Sequence, residues 1–300
     1  MTIDNSSPNK PSTPITHHPT PNTQHPSPMP QYDIEAVHQH ILRILTVFDQ
    51  TCREHQLRYY LWAGTMLGSV RHKGFIPWDD DADIAMPRPD YERLIKHARE
   101  WLPEPMELVC AENDAAYPLP FAKVQDASTT LVERFHLHYL GGIYIDVFPI
   151  DGTPRGAWRR KLHFARYEYW KCVLYLLHRD PYKRGHGPSS WVPLLCRRMY
   201  TMPGVQQRIR RLLMKYDYEQ SALVADYDDG SHGCISKTIL GQPTPCDFEG
   251  ERLMGVEQYD TYLTNKYGDY MTPPDGDHQR QHSFHLLDLE TPYRAYKQRH

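Results

Sequence analysis

Four aspartates lie within five consecutive positions of the chain: Asp79, Asp80, Asp81 and Asp83. Carboxylates this close repel one another, so they cost free energy unless a cation lies between them. We predict a strand over residues 81–86, which would turn Asp81 and Asp83 to one side and core residues to the other. Paired carboxylates on a rigid strand suit Mg²⁺, which takes its remaining ligands from water and substrate phosphates. The pattern therefore predicts metal-assisted phosphoryl transfer.

The other aspartates have more than one interpretation. Asp79 and Asp80 are equally well explained by an acidic turn that caps another element or faces water. Asp146 lies among apolar residues of a predicted strand, where an unpaired charge is costly. We expect Asp146 either to be a third metal ligand or to pair with a basic group. Asp151 is followed by glycine and is expected to lie in a turn.

A candidate phosphate-binding segment precedes the acidic cluster. Residues 59–63 are predicted to form an aromatic strand, and residues 66–72 a short helix that begins just after Gly64 and Thr65. Gly64 lets a ligand approach the backbone closely. Thr65 supplies a hydroxyl, and the N-terminus of the helix offers free N–H groups to a phosphate. Arg71 adds positive charge between this segment and the aspartates.

The elements that must hold these residues in place follow from the spacing of apolar side chains. A helix is predicted over residues 34–55 with Asp33 as its N-cap, and a second helix from Pro89 to residue 99. Further strands are predicted over residues 106–111, 129–134 and 142–148. Strands and helices without a regular βαβ repeat indicate an α+β fold with an antiparallel or mixed sheet.

The composition is that of a globular protein and excludes several classes. The 300 residues are 40% hydrophobic and 24% charged, with a net charge of −3 and a mean hydropathy of −0.68. We therefore expect no nucleic-acid partner. No apolar run approaches the roughly 20 residues of a membrane span, and the polar start argues against a secretory signal. The six scattered cysteines are expected to be reduced, buried thiols of a cytoplasmic protein.

Composition also divides the chain into three predicted parts. Residues 1–31 hold 8 prolines among polar residues and are expected to be a disordered tail. Residues 32–154 would form the catalytic core. Residues 155–300 would hold a basic helical insertion and the C-terminal part of the same domain. Within this last part, residues 155–215 carry 15 Lys and Arg but only 2 Asp and Glu.

Two basic helices are predicted in that segment, near residues 158–178 and 191–216. Their basic side has two interpretations. It either meets an anionic partner, such as the inner membrane surface or a phosphate-bearing substrate, or it pairs with the acidic residues 216–300.

Two motifs frame the acidic cluster: Gly-Thr-x-Leu-Gly-x-x-Arg at residues 64–71 and Ile-Pro-Trp-Asp-Asp-Asp-x-Asp at residues 76–83. Together they closely resemble the LicD family of phosphotransferases, and fukutin and the fukutin-related protein carry a similar domain. The likeness continues in residues 144–152 and in Tyr-Gly-Asp-Tyr-Met at residues 267–271, a segment expected near the site. It covers residues 35–285 and implies a nucleotidyltransferase-like (polymerase-β-like) fold.

The resemblance also implies a reaction. Gly64 and Thr65 would contact a nucleotide, and Asp81 and Asp83, with Asp146, would bind Mg²⁺ or Mn²⁺. Phosphocholine would pass from CDP-choline to a sugar of a cell-surface glycan, such as lipopolysaccharide, teichoic acid or capsule, or to its lipid-linked precursor. In this in-line displacement, Asp146 is the candidate base for the acceptor hydroxyl.

Three more residues are candidates to bind the donor phosphates. Arg280 and His282 are placed to reach a phosphate or have a structural role, and Lys123 either neutralises phosphate or is an exposed strand lysine. Three other functions stay open: transfer of ribitol phosphate or another alditol phosphate from a CDP donor, nucleotidyl transfer, and a non-catalytic glycan-binding role on the same fold.

Overall fold

A computed structural model describes residues 32–133, 140–182, 185–275 and 284–299. The predicted tail at residues 1–31 lies outside these ranges, as do Arg280 and His282. The helices are α1 (Ile34–Glu54), α2 (Ala63–His72), α3 (Arg88–Trp101), α4 (Ala157–His178), α5 (Pro188–Met199), α6 (Met202–Leu213), α7 (Lys237–Leu240), α8 (Tyr259–Tyr267) and α9 (Tyr293–Arg299). The strands are β1 (Tyr60–Leu61), β2 (Asp83–Pro87), β3 (Met106–Val109), β4 (Ala122–Asp126), β5 (Thr130–Val132), β6 (Tyr144–Gly152), β7 (Leu223–Asp226), β8 (Cys234–Ser236), β9 (Thr244–Phe248), β10 (Glu251–Gly255) and β11 (Leu286–Asp288).

A seven-stranded mixed sheet is the framework of the described chain. Its strands follow the order β1-β2-β6-β4-β3, and β7 pairs with the second half of β6 and with β8. Among the described strand pairs, β2 and β6 alone run parallel. Strands β9 and β10 form a hairpin, and β11 pairs with β5. The predicted α+β class with a mixed sheet is confirmed.

The parallel β2–β6 pair brings two predicted acidic strands together. Asp83 lies directly opposite Asp146 in the register, and the amide of Asp146 donates to the carbonyl of Ala82 at 2.9 Å. Because parallel strands begin at the same end of a sheet, acidic residues near the start of each strand become neighbours. Strand β2 begins at Asp83 rather than at the predicted residue 81, so Asp81 ends the preceding loop.

The helices that flank this framework follow the predicted apolar spacing. Helix α1 begins after Asp33, whose Oδ1 accepts hydrogen bonds from the amides of Glu35 and Ala36. Its apolar stripe is buried in the main core, which confirms the predicted helix. Helix α2 begins at Ala63, three residues earlier than predicted, so Gly64 and Thr65 lie in its first turn.

Helices α4 and α6 enclose a second, smaller core with residues from β7 and the segment after it. The second predicted basic helix is two helices, because Thr201 caps a new one: its hydroxyl accepts from the amide of Gly204 at 3.3 Å. Among the basic residues of these helices, Lys171 pairs with Asp228 at 2.7 Å, which agrees with the predicted pairing to the acidic residues 216–300. Arg210 instead pairs with Glu92 and Glu112, which precede the basic helices in the chain. In the described ranges, every helix is too short or too polar to span a bilayer.

The six cysteines are all unpaired thiols, but their burial differs from the prediction. Cys52 and Cys110 are buried, three others are partly buried, and Cys172 is exposed on α4. The expectation of buried thiols is therefore wrong for Cys172, which lies on the outer side of a helix that packs by its other side.

One histidine of the second core gives the fold a pH dependence. His163 on α4 is buried between the rings of Tyr216 and Tyr227, with centroid distances of 5.1 and 5.3 Å. Burial, assisted by the nearby charges of Lys215 and Arg166, lowers the pKa of its imidazole to about 4. The neutral ring is the form that the folded core holds.

We expect the free energy of unfolding to fall as the pH drops from 6.5 towards about 4, because only the unfolded chain binds this proton in that window. Denaturant titrations at a series of pH values measure how steeply the free energy of unfolding depends on pH. His163→Phe should remove the part of this pH slope that comes from the histidine. Tyr216→Phe preserves the neighbouring ring and should keep the wild-type slope. An unchanged slope in His163→Phe would contradict this origin.

Candidate active site

Carboxylates from three parts of the chain converge at the start of β2. Burial raises the pKa of Asp83 well above its usual range, and the negative charges of Asp81, Asp146, Asp79 and Asp226 raise it further. These effects require each of the four carboxylates to be close enough to repel that of Asp83. The structure therefore brings together the three predicted metal-binding residues, Asp81, Asp83 and Asp146.

Asp146 has a cationic neighbour. The Nζ of Lys123 lies 3.4 Å from Asp146 Oδ1 and 2.9 Å from Glu133 Oε1, and it stands 3.1 Å from the ring centroid of Tyr144. Burial raises the pKa of Asp146 to about 7, although Lys123 opposes the shift. Lys123 itself is buried on β4, so the alternative of an exposed strand lysine is wrong: β4 lies inside the sheet, next to β6.

Thr65 fixes the position at which β2 begins. The amide of Asp83 donates to Thr65 Oγ1 at 2.7 Å, and the carbonyl of Asp83 accepts from the amide of Trp62 at 2.9 Å. A side chain at residue 64 would meet Asp79, since a Cβ on Gly64 would lie 3.0 Å from Asp79 Oδ2. The first turn of α2 is thus in direct contact with the segment before β2 that carries Asp79, Asp80 and Asp81, which is called here the acidic loop.

Only some of the backbone N–H groups at the N-terminus of α2 have a hydrogen-bond acceptor. Its N-cap residue, Trp62, makes no side-chain capping bond, and the amide of Ala63 donates to the hydroxyl of Tyr262 at 3.1 Å. The rings of Trp62 and Tyr262 stack with centroids 4.7 Å apart. Among the amides of this first turn, those of Gly64 and Thr65 remain as the donors for a phosphate.

The acidic loop is held from outside the sheet. The carbonyl of Asp79 contacts the Nε2 of His38 at 2.6 Å, and the carboxylate of Asp80 accepts a hydrogen bond from Tyr32. Asp80 is buried, so the interpretation of a water-facing acidic turn is wrong for it. The local pattern could not predict this burial because the partner is distant in the sequence: Tyr32 precedes α1 but contacts the acidic loop in the folded chain.

The β9–β10 hairpin braces the same loop. Its two-residue turn, Glu249 and Gly250, has positive φ values of 51° and 83°, which is the pattern of a tight hairpin. The amide of Glu249 donates to the carbonyl of Lys73 at 2.8 Å, and its Oε1 accepts from the amide of Phe75 at 3.0 Å. A Cβ on Gly74 would lie 1.8 Å from that oxygen.

The sequence did not indicate Asp226, which ends β7. It is buried, and its Oδ2 accepts from the indole Nε1 of Trp62 at 3.0 Å while its Oδ1 accepts from the amide of Asp228 at 2.9 Å. Burial raises its pKa to about 7. A signal existed: three aspartates fall within four residues, 226–229, directly after an apolar run.

The remaining candidates lie at the border of the cluster or outside it. Burial raises the pKa of Tyr267, and the negative charges of Asp83, Asp229, Asp79 and Asp81 raise it further, so Tyr267, the first residue of the segment 267–271, lies near the site. Arg71 donates to the carbonyl of Tyr270 at 3.0 Å. No contact places Arg71 against the carboxylates among the described residues, and the roles of Arg280 and His282 stay predictions.

Asp151 is not a turn residue, contrary to the prediction. It lies within β6, is buried, and accepts two hydrogen bonds from the guanidinium of Arg88, at 2.8 and 2.6 Å. The strand continues through Gly152 because β7 pairs with its second half. This ion pair joins the end of β6 to the start of α3 and is a structural bond.

The donor set fits a hard divalent cation. Asp146 Oδ1 is buried, and its cationic neighbour among the described residues is Lys123 Nζ at 3.4 Å, while the carboxylates around Asp83 repel the charge of Asp83. No three acidic, histidine or cysteine side chains within the described ranges are arranged to hold a metal ion unaided. Two carboxylates completed by water and phosphate oxygens are the ligand set that Mg²⁺ uses beside phosphorylated substrates.

An α+β domain with clustered carboxylates beside a helix N-terminus is equipped to bind a phosphate-bearing ligand. Residues 56–177 match the family model described as LicD/FKTN/FKRP, nucleotidyltransferase domain. The resemblance predicted from the motifs is confirmed.

Individual relatives extend the likeness beyond that domain. The chain is similar to the lipopolysaccharide cholinephosphotransferase LicD of Haemophilus influenzae, with 26% identity over 251 residues, 80% of this chain and 92% of that protein. A shorter match, 46% identical over 37 residues, relates 12% of the chain to 14% of an uncharacterised protein of Rickettsia prowazekii.

We predict that Gly74 and Glu249 are energetically coupled. In Gly74→Ala the new methyl group must displace the Glu249 carboxylate from the amide of Phe75, at a cost of about 1 kcal/mol for the lost hydrogen bond. In a Glu249→Ala background the same change should cost much less. Urea unfolding of both single variants and the double variant measures the coupling, and strictly additive costs would contradict the brace.

Proposed function

We propose that this chain is a metal-dependent phosphotransferase that moves phosphocholine from CDP-choline to a sugar of a cell-surface glycan or of its lipid-linked precursor. One observation carries the proposal: Asp81, Asp83 and Asp146 meet at one end of the parallel β2–β6 pair, within the residues that match the LicD family model. The similarity to a lipopolysaccharide cholinephosphotransferase supports the choice of the transferred group and of a glycan acceptor. A nucleotidyltransferase-like core and a cytoplasmic location are part of the same proposal.

Asp81 and Asp83 are the residues that would hold Mg²⁺ or Mn²⁺. When bound, the cation would neutralise the diphosphate of the donor and the charge that develops on departing CMP. Asp226 accepts a hydrogen bond from Trp62, and its charge adds to the repulsion at Asp83. The accumulated negative charge favours the binding of a positively charged ligand next to the carboxylate of Asp83.

The first turn of α2 would bind the donor phosphates. The amides of Gly64 and Thr65 point along the helix N-terminus, where anions are stabilised. The hydroxyl of Thr65 accepts from the amide of Asp83, so its own proton is left to donate to a phosphate oxygen. The residue that binds phosphate is thereby connected to the carboxylate that binds the cation.

Asp146 would accept the proton of the acceptor hydroxyl. The acceptor oxygen forms a bond to the phosphorus that bears choline, the phosphorus–oxygen bond to CMP breaks, and CMP leaves with the electron pair. The pKa of Asp146, raised to about 7, suits a group that must be ionised before the step and protonated after it. Lys123, 3.4 Å away, stabilises the ionised form.

We predict Mg²⁺-dependent release of CMP from CDP-choline in the presence of a cell-surface glycan acceptor. Asp81→Asn and Asp83→Asn should each lower the rate by at least about 100-fold, because both remove a ligand of the cation. Asp247→Asn, an aspartate outside the cluster on the exposed side of β9, is the matched control and should retain wild-type activity.

The products separate the competing functions. Consumption of CDP-ribitol or CDP-glycerol, with CDP-choline inert, would keep the mechanism and change the transferred group. Pyrophosphate in place of CMP would indicate nucleotidyl transfer. Absence of turnover with every CDP donor, together with no Mg²⁺-dependent nucleotide binding, would contradict an enzymatic function.

We also predict that Asp146→Asn separates chemistry from binding. The amide cannot accept a proton, so kcat should fall by about 100-fold or more while the affinity for the donor changes little. Parallel measurements of kcat and of donor binding in the presence of Mg²⁺ test this division. Equal losses of kcat and donor affinity would contradict a role as base.

A further inference from the structure

Helix α5 exposes an unusual amount of apolar surface. Within its 12 residues, only Ser190 and Pro193 are buried. Four large apolar side chains are more than half exposed and are called here the α5 face: Trp191 (66%), Val192 (56%), Leu195 (57%) and Met199 (61%). Burying them against something other than water would release substantial free energy.

The four residues share one side of the helix. Trp191, Leu195 and Met199 follow one another at intervals of four, and Val192 lies beside them, opposite the buried Ser190 and Pro193. The other side of α5 is fixed to α4, because the guanidinium of Arg197 donates to the carbonyls of Leu177 and Arg179 at 3.0 and 3.1 Å. The α5 face therefore points outward from an anchored helix.

The helix that carries this apolar surface and its two helical neighbours along the chain are basic. Helices α5 and α6 contain no acidic residue, and α4 contains one, Glu168. Arg198 is exposed on α5, and three exposed basic residues lie on the neighbouring α4: Arg159, Lys161 and Arg166. None of these four forms an ion pair with a carboxylate of the described residues. The outer side of α4 adds a second exposed tryptophan, Trp158 (78%).

We propose that the α5 face docks onto the surface of an anionic lipid bilayer. Exposed tryptophan and aliphatic side chains together with exposed basic residues are the composition of helices that lie in the plane of a membrane interface. A helix of 12 residues is about 18 Å long, which suits insertion parallel to the surface. Charge complementarity favours an anionic lipid surface over an uncharged apolar partner, since Glu168 is the single acidic residue of helices α4, α5 and α6.

The inference is independent of the proposed reaction, because it rests on α4 and α5 alone. Its direct test is co-sedimentation of the full chain with phosphatidylcholine vesicles, with and without phosphatidylglycerol. We expect binding to the anionic vesicles and release when the salt concentration rises. The double variant Trp191→Ser/Leu195→Ser should bind at least about tenfold more weakly. Tyr259→Ser, which removes an exposed aromatic outside the basic helices, should bind like the wild type.

Two further measurements exclude trivial explanations. Circular dichroism of the double variant tests whether it is folded. Brominated lipid should quench the tryptophan fluorescence of Trp191→Phe less than that of the wild type, although this variant still binds. Arg198→Glu should weaken binding to anionic vesicles only. Asp81→Asn should bind vesicles like the wild type, so that failure of the reaction and failure of docking are distinguishable.

Several results would overturn the proposal. They are absence of vesicle binding, equal binding to neutral and anionic vesicles, and undiminished binding of the double variant. Concentration-dependent self-association that the double variant abolishes, without vesicle binding, would instead assign the α5 face to a second copy of the chain.

Discussion

The site depends on one constraint: carboxylates that repel one another are held together by the parallel pairing of β2 and β6. The register sets Asp83 opposite Asp146, and the loop before β2 adds Asp81 and Asp79. Such a cluster is unfavourable by itself, so the fold must supply the free energy that keeps it in place. It does so through the backbone pairing of a buried sheet, in which neither strand can shift without exposing core residues.

The groups around the cluster reduce this cost in different ways. Lys123 supplies a positive charge next to Asp146, and Trp62 donates a hydrogen bond to Asp226. Thr65 caps the start of β2, and the β9–β10 turn fixes the loop that leads into it through Glu249. None of these contacts removes the repulsion around Asp83. The charge that remains is what a divalent cation and a phosphorylated ligand would balance.

The sequence predicted well what depends on neighbouring residues. Helix α1 with its Asp33 cap, helix α3 and the alternation of core and acidic residues around Asp83 all follow from local spacing. The predictions failed where a distant partner decides. Asp80 is buried by Tyr32, and Asp151 is held in a strand by Arg88 and β7. Lys123 is buried because β4 lies next to β6, a neighbour that no local pattern specifies.

The central claim is that Asp81 and Asp83 bind a divalent cation that a CDP donor helps to hold. Its most direct test is a titration with Mn²⁺, in which the electron paramagnetic resonance signal of free Mn²⁺ reports binding to the wild type, Asp83→Asn and the control Asp247→Asn. The account predicts that the wild type and the control bind Mn²⁺, that CDP-choline tightens this binding, and that Asp83→Asn loses both effects. Equal Mn²⁺ binding by Asp83→Asn and the wild type, with CDP-choline present, would contradict it.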